Sequence, residues 1–266
     1  MVMDSILKTL VDATRERLIA WNEETPLDKI KSLALQTGSI LEDFAFEKAL
    51  GRERLAFICE CKKASPSKGL IDPDFHYLQI AQEYEAAGGE CISVLTEPSK
   101  FLGKDEYLFE ISHNVSIPCI RKDFVIDEYM LYQAKLLVAS AVLLICAILD
   151  DQQLSSYLRL SEKLGLSALV ETRDSNEVDR AINVGARLIG VNNRNLNDFS
   201  VDMETCVKLR DRVGKRALFV AESGIKERSD VEKLEKVGVD AVLVGEALMK
   251  AKDKRKMLAE LRGNER

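Results

Sequence analysis

From Leu55 onward, short apolar runs alternate with amphipathic segments in a regular rhythm. The runs occupy residues 55–62, 90–96, 118–122, 141–147, 167–171, 188–192, 217–222 and 241–245. Each has the length and apolar content of a buried strand. Between them stand helix-start signals such as Asp72-Pro73, Asp127-Glu128, Asp150-Asp151 and Asp174-Ser175. Glycines that suit helix ends follow at Gly88-Gly89, Gly165, Gly185, Gly214 and Gly238. Strands that alternate with helices imply right-handed βαβ units and a parallel sheet. Eight such units in roughly 200 residues predict a closed (β/α)8 barrel. An open doubly wound sheet would call for a G-x-G-x-x-G turn after the first strand, and none is present.

The region before the first strand is patterned differently. Residues 5–21 carry apolar positions at helical spacing, and Thr25-Pro26 reads as an N-cap followed by Pro at the first helical position. Ser39-Ile40-Leu41-Glu42 fits a capping box that opens a third helix toward Leu50. No Pro/Gly/Ser-rich linker separates this stretch from the rest. Residues 1–54 are therefore expected to be a helical extension packed on one barrel domain spanning residues 1–266, with a C-terminal helix over residues 246–262 closing the ring.

Composition narrows the function. The formal charge of −6 argues against a broad nucleic-acid or anionic-membrane surface. The longest apolar run, residues 136–149, is broken by Ser140 and too short to span a bilayer, and the N-terminus lacks a signal-peptide pattern. Six cysteines without a C-x-x-C pair read as buried free thiols of a cytoplasmic protein. With only His76 and His113 in the chain, a histidine-rich metal site or a Ser-His-Asp triad is disfavoured. Acid–base chemistry falls to Lys and Glu.

Those residues collect where a barrel does its work, at the C-terminal ends of the strands. In chain order these ends carry Glu60 and Lys62, Lys122, Glu171, Asn192 with Arg194, Glu222 with Ser223, and Gly245. Alternation along the first strand puts Ile58, Glu60 and Lys62 on one face and Cys59 and Cys61 on the other. A lone Glu-x-Lys pair reads as a structural salt bridge, but polar residues at the same end of five strands, with Gly245 at a sixth, read as a site. Gly224 and Gly245 could simply serve tight turns. They also suit a phosphate cradle of backbone N–H groups and a helix N-terminus, with Lys62 or Lys68 as counter-charge.

The run Glu60-x-Lys62-x-x-Ser65-Pro66-Ser67-x-Gly69 resembles the signature of the indole-3-glycerol phosphate synthase family. The likeness continues through Arg121-Lys122-Asp123-Phe124, Leu169-Val170-Glu171, Gly190-Val191-Asn192-Asn193-Arg194-Asn195-Leu196, Ala221-Glu222-Ser223-Gly224-Ile225 and Val244-Gly245-Glu246-Ala247-Leu248-Met249. Departures are small: Cys59 and Cys61 stand where Ala and an aliphatic residue are usual. The resemblance implies a ribulose-phosphate-binding TIM barrel of tryptophan biosynthesis. It would close the indole ring of 1-(2-carboxyphenylamino)-1-deoxyribulose 5-phosphate with loss of carbon dioxide and water.

By the same resemblance, Lys122 is the general acid at the ketone and Glu171 the general base. Glu60 and Lys62 assist proton transfer, while Asn192 and Glu222 contact the sugar hydroxyls and the lysines. Arg194 takes the carboxylate, and Ser223, Gly224, Gly245 and Glu246 take the phosphate. Ser65 and Ser67 lie in a covering loop. No metal or organic cofactor is expected, and the chain is expected to be a monomer or weak homodimer. The rival readings are a phosphoribosylanthranilate isomerase-like barrel, which would need a catalytic Cys near Cys59 or Cys61, and a silent barrel serving as an interaction subunit.

Overall fold

The structure is a computed structural model, and it describes residues 5–38, 41–195 and 198–264. Strands β1 (Ala56–Cys61), β4 (Cys91–Leu95), β5 (Cys119–Lys122), β6 (Ala141–Ile145), β7 (Ser167–Thr172), β8 (Leu188–Asn192), β9 (Leu218–Glu222) and β10 (Ala241–Val244) close into a parallel barrel. Every expected strand is present, with ends shifted by at most two residues. Two short strands, β2 (Ala64–Ser65) and β3 (Gly69–Leu70), pair antiparallel in the loop after β1. The strand pattern did not predict that hairpin. Its turn is Ser65-Pro66-Ser67-Lys68, with Lys68 N–H donating to the Ser65 carbonyl and Gly69 at φ 64°.

Helices α4 (Tyr77–Ala86), α5 (Asp105–Asn114), α6 (Tyr129–Leu136), α7 (Asp151–Lys163), α8 (Ser175–Asn183), α9 (Glu204–Val213) and α10 (Arg228–Lys236) fill the connections. Asp150 and Asp174 cap α7 and α8 by accepting from the Gln153 and Glu177 N–H groups. Asp72, expected to open a helix, instead accepts from Asp74 and Phe75 N–H in a turn, and α4 begins later. The expected single C-terminal helix is two, α11 (Glu246–Lys250) and α12 (Lys254–Arg262). Ala251 becomes extended, and Asp253 caps the second helix through the Lys256 N–H.

The N-terminal helices are α1 (Ser5–Glu24), α2 (Leu27–Gln36) and α3 (Ala45–Leu50). Pro26 is the residue before α2, one position earlier in the cap than expected. Ser39 and Ile40, half of the expected capping box, lie outside the described residues, and α3 starts only after Phe44 at φ 58°. Phe46, Ala49 and Leu50 of α3 join the barrel's inner core with Ala56, Ile58, Ala141 and Ala241, so this helix plugs the N-terminal end of the barrel. Cys59 and Cys61 belong to the core between strands and helices, as alternation required.

The interior is layered. Ile58, Ile120, Leu169 and Val220 come from alternate strands of the ring and are buried in the inner core. Two residues further along the same strands stand Glu60, Lys122, Glu171 and Glu222. A barrel core is normally built from layers of four apolar side chains. Here the uppermost set of four is ionisable.

Candidate active site

Glu60 on β1, Lys122 on β5, Glu171 on β7 and Glu222 on β9 point inward at the C-terminal mouth. The three glutamates are at most 6 % exposed. A cavity of about 470 Å³ opens above them. Every residue predicted for the site lines it: Glu60, Lys62, Ser65, Ser67, Lys122, Glu171, Asn192, Arg194, Glu222, Ser223, Gly224, Gly245 and Glu246. The wall also includes Ile6, Leu7 and Leu10 of α1 together with Phe101, Phe124, Leu143 and Ile145, so one side is apolar and the floor is charged.

Lys62 bonds to Glu60. Lys122 Nζ stands 3.7 Å from Glu171 Oε2 and 3.8 Å from Glu222 Oε2, within ion-pair range but beyond a hydrogen bond. Burial works against the Lys122 charge, yet Glu171, Glu222 and Glu60 outweigh it and hold its pKa well above the ordinary lysine value. Burial likewise opposes the charge on Glu60, while Lys62 and Lys122 hold its pKa below the usual carboxylate range.

Glu222 goes the other way. Burial pushes it up, and the neighbouring Glu171 carboxylate adds to the push against the pull of Lys122, so it titrates at about 8. Among the described residues nothing donates to its buried Oε1.

Glycines make room for this layer. A Cβ on Gly190 of β8 would meet Glu222 Oε1 at 2.1 Å, and one on Gly245 would meet Glu60 Oε1 at 2.4 Å. Gly190 was not singled out by the sequence reading. Its signal was present, since a glycine inside a strand marks close approach by something else.

The loops add directed polar groups. Asn192 Oδ1 accepts from the Arg194 N–H, and Arg194 Nη1 donates to the Phe199 carbonyl, which fixes the guanidinium over the cavity's edge. Ser223 and Gly224 follow β9 with φ of 67° and 93°. Glu246 pairs with Lys250 at 2.7 Å and Lys68 at 3.5 Å. The Lys250 hydrogen bond, burial notwithstanding, draws the Glu246 pKa below its ordinary value. The expected helix dipole at this point rests on α11, a helix of only five residues. Burial pushes the Cys59 thiol up to about 12 and raises Cys61 well above the ordinary thiol value, which leaves neither poised as a nucleophile.

Fold and mouth together define a (β/α)8-barrel enzyme site that pairs lysines with buried carboxylates beneath a cavity with polar and apolar walls. The profile of the indole-3-glycerol phosphate synthases matches residues 7–261. The chain belongs to the indole-3-glycerol phosphate synthase family. Curated members include indole-3-glycerol phosphate synthase of Lachnoclostridium phytofermentans, 48 % identical over 97 % of this chain and 98 % of that one. The Ruminiclostridium cellulolyticum enzyme is 49 % identical over 97 % and 99 %. Among solved structures, 3-hexulose-6-phosphate synthase from Salmonella typhimurium superposes with a TM-score of 0.65 at 14 % identity. It covers 79 % of this chain and 97 % of that one, and this likeness concerns the fold alone. Among the described residues no helix is long and apolar enough to cross a membrane.

Proposed function

We propose that the mouth carries out the ring closure of 1-(2-carboxyphenylamino)-1-deoxyribulose 5-phosphate to indole-3-glycerol phosphate, with Lys122 as general acid and Glu171 as general base. The observation that carries this reading is the pairing of a buried, charged Lys122 with carboxylates at ion-pair rather than hydrogen-bond distance. An ammonium held in place but not saturated can polarise a ketone oxygen for attack by the aromatic carbon and give it a proton, and after reprotonation from solvent it can protonate the departing hydroxyl. Glu171, on the other side of Lys122, receives the aniline proton. Glu60 keeps Lys62 oriented, and the pair serves the proton transfers of dehydration.

The charged ends of the substrate set its orientation. Arg194 offers a planar fork to the carboxylate, and Ser223, Gly224 and Gly245 offer backbone N–H groups to the phosphate, with Lys62 as counter-charge. The apolar wall of Ile6, Leu7, Leu10 and Phe124 suits the aromatic ring. Asn192 and Glu222 meet the sugar hydroxyls, and Ser65 and Ser67 cover the bound molecule. In this reading the chain is one barrel domain whose first 54 residues are an extension, working without metal or organic cofactor as a monomer or weak homodimer. The six buried free thiols support a cytoplasmic setting.

The test is direct. The purified chain is mixed with the synthetic carboxyphenylamino substrate, and product is followed by indole fluorescence. Steady formation of indole-3-glycerol phosphate is expected; no product at micromolar enzyme would refute the reading.

A further inference from the structure

The turn that would take the phosphate has an unusual backbone. Ser223 adopts φ 67°, a region L residues rarely enter, and Gly224 follows at φ 93°. Relaxation of Ser223 to an ordinary conformation would re-aim the next peptide, so something must hold it.

Asn193 does. Its side chain continues the alternation of β8 one step past the strand and faces the helical layer, where the residue is 3 % exposed. Nδ2 donates to the Ser223 carbonyl at 3.1 Å and approaches Met203 Sδ at 3.4 Å. Oδ1 accepts from the Cys206 N–H near the start of α9 at 3.1 Å. The Asn193 backbone N–H donates to the Glu222 carbonyl, and its own carbonyl accepts from Asp202. One side chain thus ties the Ser223 peptide to a helix terminus.

The geometry of a planar trans peptide makes this tie consequential. With the Ser223 carbonyl pulled toward the helical layer, the Gly224 N–H must point the opposite way. Ser223 and Gly224 both border the cavity. Met203 and Val201 back the turn from behind: a Cβ on Gly224 would meet Met203 Sδ at 2.6 Å and Val201 Cγ1 at 2.7 Å. The segment that supplies this backing begins with Asn193 and Arg194, so both charged ends of the proposed substrate are read from one stretch of chain.

We propose that Asn193 is a positioning residue for phosphate binding: it holds Ser223 in its left-handed conformation and thereby aims the Gly224 N–H at the phosphate. This rests on the functional reading above and adds a residue that touches no substrate.

Two variants, each made with and without Ser223→Gly, test it. Asn193→Ala removes both side-chain bonds. Asn193→Asp keeps the acceptor for the Cys206 N–H and loses the donor to Ser223. Each is expected to raise KM, and the Kd for inorganic phosphate measured by titration, about tenfold, the scale of the cost of an L residue in the left-handed region. Turnover at saturation should stay within about threefold of the parent. Glycine adopts positive φ without strain, so each double variant should return to the KM and phosphate Kd of Ser223→Gly alone.

An unchanged phosphate Kd in both single variants would overturn the proposal. So would a defect that persists undiminished in the double variants, or failure of both variants to fold. Because phosphate binding is read apart from turnover, an inactive parent would refute the functional reading while leaving the role of Asn193 measurable.

Discussion

The end of strand β5 and the residue after it carry three consecutive charges, Arg121, Lys122 and Asp123, and the two faces of the strand treat them in opposite ways. Arg121 and Asp123 face outward into a network that is nearly complete. Arg121 is fully buried and donates to Thr96 Oγ1, the Met130 carbonyl and Asp105 Oδ1. Asp123 accepts both Nη groups of Arg17 from α1, the Thr96 hydroxyl and the Phe124 N–H. The Arg17 and Arg121 guanidinium groups also lie over the Trp21 ring, at 5.1 and 5.8 Å. Lys122, between them in sequence, faces inward and finds carboxylates only at 3.7 and 3.8 Å.

The difference separates structure from chemistry. Buried charge is tolerated when paired and hydrogen-bonded, and the outer network meets that condition, Arg17 Nε excepted, while docking the N-terminal helix. Among the described residues, the inner layer leaves one Glu222 oxygen without a donor and puts the carboxylates that pair with Lys122 at 3.7 and 3.8 Å. Groups held this way retain capacity for a substrate, at a cost in stability that a folded scaffold absorbs.

Four substitutions probe this contrast, in order of expected effect. Lys122→Met should lower turnover by at least about a hundredfold, as for loss of a positioned acid, in the fluorescence assay of product formation; near-normal turnover would remove Lys122 from the chemistry. Arg121→Met breaks the outer network, taking the cation from Asp105 and the donors from the Met130 carbonyl and Thr96 Oγ1. Urea denaturation should show a loss of about 3–5 kcal/mol, and a loss below about 1 kcal/mol would mean the network is not a structural one.

Glu222→Gln addresses proton binding. Glu222 titrates at about 8 in the folded chain against an ordinary 4.5. Between those values the folded state keeps a proton that the unfolded state has released, so this group's contribution to stability falls as pH rises and levels off above about 8. Urea midpoints from pH 5 to pH 9 should decline less steeply in Glu222→Gln; an identical slope would place the proton elsewhere. Smallest should be Arg17→Lys, which keeps the charge but loses the fork to Asp123. A loss of about 1 kcal/mol is expected in the same assay, and none at all would leave the docking of α1 to its apolar face.

The sequence disclosed the parts of this arrangement that depend on local pattern. Strand rhythm and inward alternation placed Glu60, Lys122, Glu171 and Glu222 at one mouth, and the same alternation turned Cys59 and Cys61 away. It was silent where distant segments decide. The break between α11 and α12 depends on the Asp253 cap, and the hairpin after β1 depends on the Ile71 and Asp72 N–H groups closing on the Lys63 carbonyl. Asn193 reads in sequence as one more polar residue past a strand, and only the fold shows its amide meeting Ser223. Gly190 is explained by a carboxylate on the neighbouring strand. The wall formed by Ile6, Leu7 and Leu10 reads as ordinary helix core until α1 is seen at the cavity.

The most direct test of the contrast is the unfolding free energy of Lys122→Met measured beside Arg121→Met at neutral pH. The account predicts that Lys122→Met loses less than Arg121→Met, because the Lys122 ion pairs are 3.7 and 3.8 Å long whereas Arg121 makes three hydrogen bonds. Equal losses in the two variants would contradict it, because Lys122 would then be as much a part of the scaffold as its neighbour.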